Sequence, residues 1–179
     1  MTTLEVLGWC ALGVVTLMLL LWLWSIRLRD VSIIDPFWRL GFVVVAWIAF
    51  ATTHGDLGRR ILVVTLTSIR GLRLFGYLLW RNRGKPEDFR YAAMRRRHGV
   101  RFVWISLGTV FALQGVLMLI VSLPVQMGGI PSGPALGPVA ILGALCWLCG
   151  LTFETVGDAQ LARFRANSDN RGKVLETGL

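Results

Sequence analysis

The sequence predicts an all-α integral membrane protein with about five transmembrane helices, corresponding to one membrane domain over residues 1–179. Hydrophobic residues make up 55% of the chain and charged residues only 16%, and the mean hydropathy is +0.63. These values are far from those of a soluble domain. The segments 6–26, 102–127 and 128–153 contain no charged residue, and each can cross the roughly 30 Å hydrocarbon core at 1.5 Å per residue.

The expected helices differ in how strongly the sequence predicts them. No Lys or Arg precedes the first helix, and its apolar stretch is longer than a signal-peptide core, so we expect it to stay in the mature protein. The second and third are weaker, because Arg39 interrupts one and Arg70 and Arg73 lie within the other. The five helices are expected at about residues 5–27, 37–53, 60–82, 101–126 and 137–165.

The basic residues predict the orientation in the cell membrane. Eight Lys or Arg residues lie between residues 81 and 101, whereas the loop 128–138 has none. The positive-inside rule then places the amino terminus outside and the carboxy terminus in the cytoplasm. Arg59 and Arg60 fit this orientation imperfectly, because their loop would lie outside. Because topology accounts for most of the +9 charge, we expect the lipid bilayer as a partner and no nucleic acid. The sequence does not indicate an oligomeric state.

The segment from Arg70 to Tyr91 contains the most informative residues. Arg70, Arg73 and Tyr77 fall on one helical face, and an arginine within a membrane helix usually faces a polar cavity or a ligand. The charged run that follows includes Arg81, Arg83, Lys85 in a Gly-Lys-Pro turn, Glu87 and Asp88. The pattern predicts an anion-binding cleft where a transmembrane helix meets the cytoplasm.

Four other polar positions have alternative interpretations. Asp35, in Asp-Pro-Phe-Trp before the second helix, either starts that helix or belongs to a site. Gln114 either joins helices or faces a cavity. Glu154 and Asp158 lie four residues apart, so these like charges need a cation, a ligand hydroxyl or a shared proton, unless they form a solvated helix end.

The cysteine pair and the arginine run favour structural roles. Cys146 and Cys149 form a C-x-x-C, but it lies in an apolar span without further metal ligands, so we expect no metal and interpret both as packing residues. The run Arg95-Arg96-Arg97-His98 is more typical of a positive-inside anchor that contacts anionic lipid than of a substrate site.

An ordered series of motifs resembles a known family. The series contains DPFW at 35–38, RGKPEDFRY at 83–91, LQG at 113–115, E-x-x-x-D-x-Q at 154–160 and NRGK-x4-GL at 170–179. It resembles the bacterial branch of the steroid 5α-reductase family, long catalogued as a domain of unknown function. The resemblance covers nearly the whole chain and depends on the order of the motifs.

This resemblance implies a seven-helix enzyme that uses NADPH to reduce an enone carbon–carbon double bond in a lipophilic small molecule. Hydride goes to the β-carbon while a protein acid polarises the carbonyl. The positions that match cofactor contacts are Tyr77, Arg83, Lys85, Asp158, Asn170 and Lys173. The catalytic residue is not identified, and the candidates are Asp35, Arg70, Gln114 and Glu154.

Two departures from the family pattern affect these expectations. Arg70 stands where the steroid enzymes have a carbonyl-orienting tyrosine. The sequence stops at Leu179, where relatives continue with a tryptophan and a Ser-Arg-His-Pro-Asn-Tyr motif that opens two further helices. We therefore expect a truncated chain that is inactive or dependent on a partner.

Two alternative functions remain. One is a membrane methyltransferase that uses S-adenosylmethionine; this cofactor has no phosphates, so the cationic turn suits it less well than it suits NADPH. The other is a non-catalytic membrane scaffold.

Overall fold

The computed structural model describes residues 2–130, 137–170, 172–176 and 178, and every regular element in them is helical. The α-helices are α1 (Thr3–Leu28), α2 (Ile34–Thr52), α3 (Leu57–Asn82), α4 (Phe89–His98), α5 (Phe102–Ser106), α6 (Leu113–Val121), α7 (Leu123–Met127) and α8 (Pro138–Ala166). A 3-10 turn (Gly99–Arg101) joins α4 to α5, a π-helical turn (Leu107–Ala112) joins α5 to α6, and a second 3-10 turn (Ser168–Asn170) follows α8.

Five of the described helical segments are long and apolar enough to cross a membrane. They are α1, α2, α3, the continuous helix Phe89–Val121 and α8. The predicted fold class, an all-α membrane protein, is therefore confirmed. The chain divides into two compact units, Met1–Pro134 and Ala135–Leu179, which are described separately below.

Local sequence signals explain where the helices begin. Asp56 caps α3 by accepting a hydrogen bond from the Arg59 amide (2.9 Å), and Asp88 caps α4 by accepting one from the Arg90 amide (3.0 Å). The fourth membrane helix consequently starts at Phe89 rather than near residue 101. The second starts at Ile34, so Asp35 lies in its first turn and does not precede it.

The core of the first unit forms around one face of α1. Val6, Cys10, Val14, Met18 and Leu21 are buried at spacings of three and four residues, which place them on a single helical stripe. Buried side chains of α2, the π-helical turn and α6 pack against this stripe, including Val45, Phe111 and Met118. A Cβ at Gly41 would overlap the Met118 thioether, so glycine permits this close approach.

Outside this core, many large apolar side chains are exposed on the membrane-length helices of the first unit. In the second unit α8 has no buried residue. Exposed apolar helix surface of this kind suits a lipid environment, in which the hydrocarbon chains replace a protein core.

Candidate ligand-binding cleft

The first unit contains a cleft of about 970 Å³ at one end of its helices. The carboxy-terminal ends of α1 and α3, the amino-terminal end of α2 and the turn before α4 line it. These are ends of membrane-length helices, so the cleft lies near the boundary between hydrocarbon and water. Its lining divides into an aromatic wall, a cationic rim and an acidic side.

Aromatic rings from three helices form the apolar wall. Trp24, Phe37 and Trp80 line the cleft. The ring centroids of Trp24 and Phe37 are 5.4 Å apart in an edge-to-face arrangement, and Phe37 lies 5.1 Å from Phe75 in the same geometry. Such pairs are favourable contacts, so they fix the relative positions of α1, α2 and α3 at this end.

The cationic rim comprises Arg81, Arg83 and Lys85. The turn that carries the last two depends on Gly84, whose φ of +74° is in the left-handed region that favours glycine. The Lys85 amide donates to the Asn82 carbonyl (3.1 Å), which closes the turn. Arg83 and Lys85 are exposed and line the cleft, so an anion that enters the cleft can reach both of these predicted cofactor-binding residues.

Asp35 lies on the acidic side of the cleft. The Tyr91 hydroxyl donates to Asp35 Oδ1 at 3.3 Å, and Arg90 Nη2 lies 3.7 Å from Asp35 Oδ2. Arg90 Nε also donates to Asp88 Oδ1 at 2.9 Å. Of the candidate catalytic residues, the structure thus places Asp35 in the cleft and supplies it with two polar partners that sequence reasoning did not identify.

Glu87 and Arg95 form a latch that fixes the turn before α4 against the segment between α1 and α2. Arg95 Nε and Nη2 donate to the two Glu87 carboxylate oxygens at 3.0 and 2.8 Å, and the Val31 amide donates to Glu87 Oε1 at 2.9 Å. The side chains of Glu87 and Arg95 are only 12% and 33% exposed. We call this group the Glu87–Arg95 latch.

Burial alone would raise the pKa of Glu87, but the hydrogen bonds from Arg95 and from the Val31 amide outweigh it, and the pKa lies below its usual value. A second contact supports the latch, because the Asp88 amide donates to Ser32 Oγ at 2.7 Å. Both contacts join residues 56 positions apart. The sequence shows the Glu and Arg but not their distant partners, which explains why these roles were missed.

Three other predicted residues of the first unit lie outside the cleft lining. Tyr77 is half-buried on α3, with its ring 6.0 Å from that of Trp80 and 5.9 Å from the Arg81 guanidinium carbon. Arg70 is exposed farther along the same helix. Gln114 is half-buried on α6, where its backbone carbonyl accepts a hydrogen bond from Trp38 Nε1 at 3.2 Å.

The remaining predicted cofactor residues belong to the second unit. Glu154 and Asp158 are half-buried on α8. Asn170 and Lys173 line a cavity of about 610 Å³ that is formed entirely by residues of this unit. Asn170 Nδ2 donates to the Phe164 carbonyl at 3.0 Å, which holds the segment after α8 against the helix end.

The C-x-x-C pair does not pack as expected. Cys146 and Cys149 are free thiols, and both are exposed on α8. Within this unit they therefore do not pack against other protein side chains, as the sequence analysis expected them to. Among the residues that the structure describes, no group of three or more His, Cys, Asp or Glu side chains could hold a metal ion.

A family comparison supports one part of the expected resemblance, membership of a family catalogued as a domain of unknown function. Residues 20–179 match the family described as "Protein of unknown function (DUF1295)". The chain belongs to this family. The match begins within α1 and includes every residue of the cleft and of the Glu87–Arg95 latch. No curated protein and no solved structure matches the chain.

Proposed function

We propose that this protein is a membrane-embedded reductase whose cleft binds NADPH and a lipophilic enone. One observation supports the proposal most directly: a single cleft of about 970 Å³ has both an aromatic wall and a cationic rim, which comprises Arg81, Arg83 and Lys85. That volume is near the upper end of the range for small-molecule sites. The resemblance to steroid 5α-reductases supplies the reaction class.

The rim suits the phosphates of a dinucleotide. Arginine offers a planar fork of donors to phosphate oxygens and lysine offers a mobile point charge, so Arg83 and Lys85 together can bind two phosphate groups. When bound, NADPH would supply the hydride for the carbon–carbon double bond. Trp24, Phe37 and Trp80 would bind the apolar body of the substrate and exclude water from the reacting carbon.

We assign the proton-holding role to Asp35. A group that polarises a carbonyl must lie at the junction of the apolar and polar parts of the cleft, and Asp35 occupies this position beside Phe37. The Tyr91 hydroxyl donates to Oδ1 at 3.3 Å, and Oδ2, which lies 3.7 Å from Arg90 Nη2, would be the oxygen that meets the substrate. Asp35→Asn should therefore abolish turnover while leaving NADPH affinity nearly unchanged.

The cytoplasm contains NADPH, so the proposal requires the cleft to face it, as the charge asymmetry predicts. In a variant without native cysteines, single cysteines are introduced at Ala93, on the cleft side, and at His54, in the turn between α2 and α3. An impermeant thiol reagent applied to intact cells should label the His54 position alone. Labelling of the Ala93 position alone would reverse the orientation.

Calorimetric titration of the purified chain with NADPH, NADH and S-adenosylmethionine tests the ligand. Saturable binding of NADPH, with weaker binding of NADH, is the expected result. Binding of S-adenosylmethionine without either nicotinamide cofactor would assign the protein to the methyltransferase class. A chain that binds none of the three would fit the scaffold alternative or the partner-dependent chain that the sequence predicts. Consumption of NADPH with a panel of membrane-partitioning enones then tests the reaction.

A further inference from the structure

The helix that begins at Phe89 is longer than a bilayer requires. It runs for 33 residues to Val121, or about 50 Å at 1.5 Å per residue, whereas the hydrocarbon core is about 30 Å thick. The segment from Phe102 to Val121 alone is about 30 Å long. With that segment in the hydrocarbon, α4 and its 3-10 turn lie at the level of the lipid headgroups.

The arginine run at residues 95–97 is divided between two sides of this helix. Tyr91 and Phe102 are buried, and Arg95 lies between them on the same side, bound to Glu87. Its guanidinium also lies 4.8 Å from the Phe102 ring centroid. Arg95 is thus half-buried against the protein, and Glu87 compensates its charge.

The opposite side of the helix presents charge to the surroundings. Arg96, Arg97 and Arg101 are exposed. Between and beside them are two exposed apolar side chains, Val100 (91%) and Trp104 (70%). Arginines next to an exposed aliphatic residue and a tryptophan are typical of a surface that lies in the membrane interface.

The tryptophan is held in place by α1. The ring centroids of Trp104 and Trp22 are 5.4 Å apart, and Trp22 Nε1 donates to the Val103 carbonyl at 3.0 Å. These contacts fix the depth and rotation of the helix relative to α1. The exposed arginines are therefore held at a defined level and not on a freely moving segment.

We propose that Arg96, Arg97 and Arg101, with Val100 and Trp104, form a binding surface for the headgroup of an acidic phospholipid. The guanidinium groups would pair with the headgroup phosphate, and the Trp104 ring would lie along the upper acyl chain. Below we call these five residues the lipid surface. It does not depend on the cleft or on its ligand.

The test uses the full chain in a neutral detergent, with phosphatidylglycerol and phosphatidylcholine added separately and bound lipid counted by native mass spectrometry. The wild-type chain should retain phosphatidylglycerol in preference to phosphatidylcholine. The double variant Arg96→Gln/Arg97→Gln should lose about fivefold in affinity for each arginine, on the scale for a basic residue near an anionic membrane surface. The loss should shrink as ionic strength rises.

Two matched variants make the result specific. Arg163→Gln/Arg165→Gln removes the same charge from exposed positions of α8 and should leave the preference unchanged. Arg96→Lys/Arg97→Lys keeps the charge and should retain most of the binding. Equal losses in both Gln pairs, or equal retention of the two lipids by the wild-type chain, would overturn the proposal. Because the substituted positions are exposed, each variant should stay folded, and circular dichroism checks this directly.

Discussion

The stretches 83–86 and 87–95 are adjacent and similarly rich in charge, but they have opposite structural roles. In the first, Arg83 and Lys85 are exposed at the mouth of the cleft. In the second, Glu87 and Arg95 bind each other, and Glu87 also binds the Val31 amide in the segment between α1 and α2. Residues 87–95 therefore hold the backbone of the turn in place, and residues 83–86 present their cations to the cleft.

This difference teaches how one charged motif can serve both stability and binding. A buried ion pair is favourable only when its geometry and hydrogen bonds compensate for lost hydration, and Glu87 has three such bonds. A ligand-binding cation, in contrast, must stay accessible until the ligand arrives. Mutations in the two stretches should therefore separate stability from affinity.

The largest expected effect comes from breaking the Glu87–Arg95 latch. Arg95→Gln leaves a mostly buried carboxylate without its main partner, so the free energy of unfolding should fall by about 2–3 kcal/mol, the scale for hydrogen bonds to charged groups. Unfolding by a denaturing detergent, followed by circular dichroism, measures the change. Arg96→Gln is the matched control, because the neighbouring arginine is exposed and its loss should change stability by less than about 0.5 kcal/mol. Equal effects of the two substitutions would refute the latch.

The second largest effect concerns ligand affinity at residues 83–86. Lys85→Ala should weaken NADPH binding about ten- to a hundredfold, because a charge-assisted contact is typically worth about 1.5–3 kcal/mol. If Lys85 contacts the 2′-phosphate, the loss for NADH should be much smaller. Calorimetric titration gives the affinities, and the unfolding assay should show little change. A loss of stability like that of Arg95→Gln would assign Lys85 to the structural side of the comparison.

A smaller effect follows from the lowered pKa of Glu87. Because the pKa of this carboxyl is lower in the folded chain than its ordinary value, its contribution to stability is fully present above that ordinary value. The contribution disappears as the pH falls through the lower, folded-state pKa. Stability measured between neutral and acidic pH should therefore decline less steeply for Glu87→Gln than for the wild-type chain. Parallel profiles for the two proteins would contradict this assignment.

The smallest effect is expected at the cysteines, which lie outside both stretches. Replacing Cys146 and Cys149 with Ala removes two exposed thiols, so stability and NADPH binding should stay within about 0.5 kcal/mol of the wild-type values. Unfolding and titration measure both. Stoichiometric zinc in the wild-type protein, lost in the double variant, would instead reveal a metal site.

Sequence patterns located most of the fold because the relevant signals are local. Apolar length predicted the membrane helices, and the structure adds that Asp56 and Asp88 cap the starts of two of them. The start of α4 was still missed by about a dozen residues, because five of the ten residues of α4 are Arg or His and the segment looks like a loop when judged by hydropathy. Its helical pattern, with Tyr91, Arg95 and Phe102 on the inner side, becomes clear only when their partners are known.

The candidate site was predictable in composition but not in arrangement. The sequence by itself determined a helical membrane protein with a cationic turn, since hydropathy, charge and glycine act over a few residues. Only the tertiary structure decided that Asp35 meets Tyr91, that Glu87 reaches the Val31 amide and that Arg70 and Gln114 lie outside the cleft lining. Hydrogen bonds and ring contacts depend on distances of a few ångströms between segments more than fifty residues apart, and no local pattern encodes those distances.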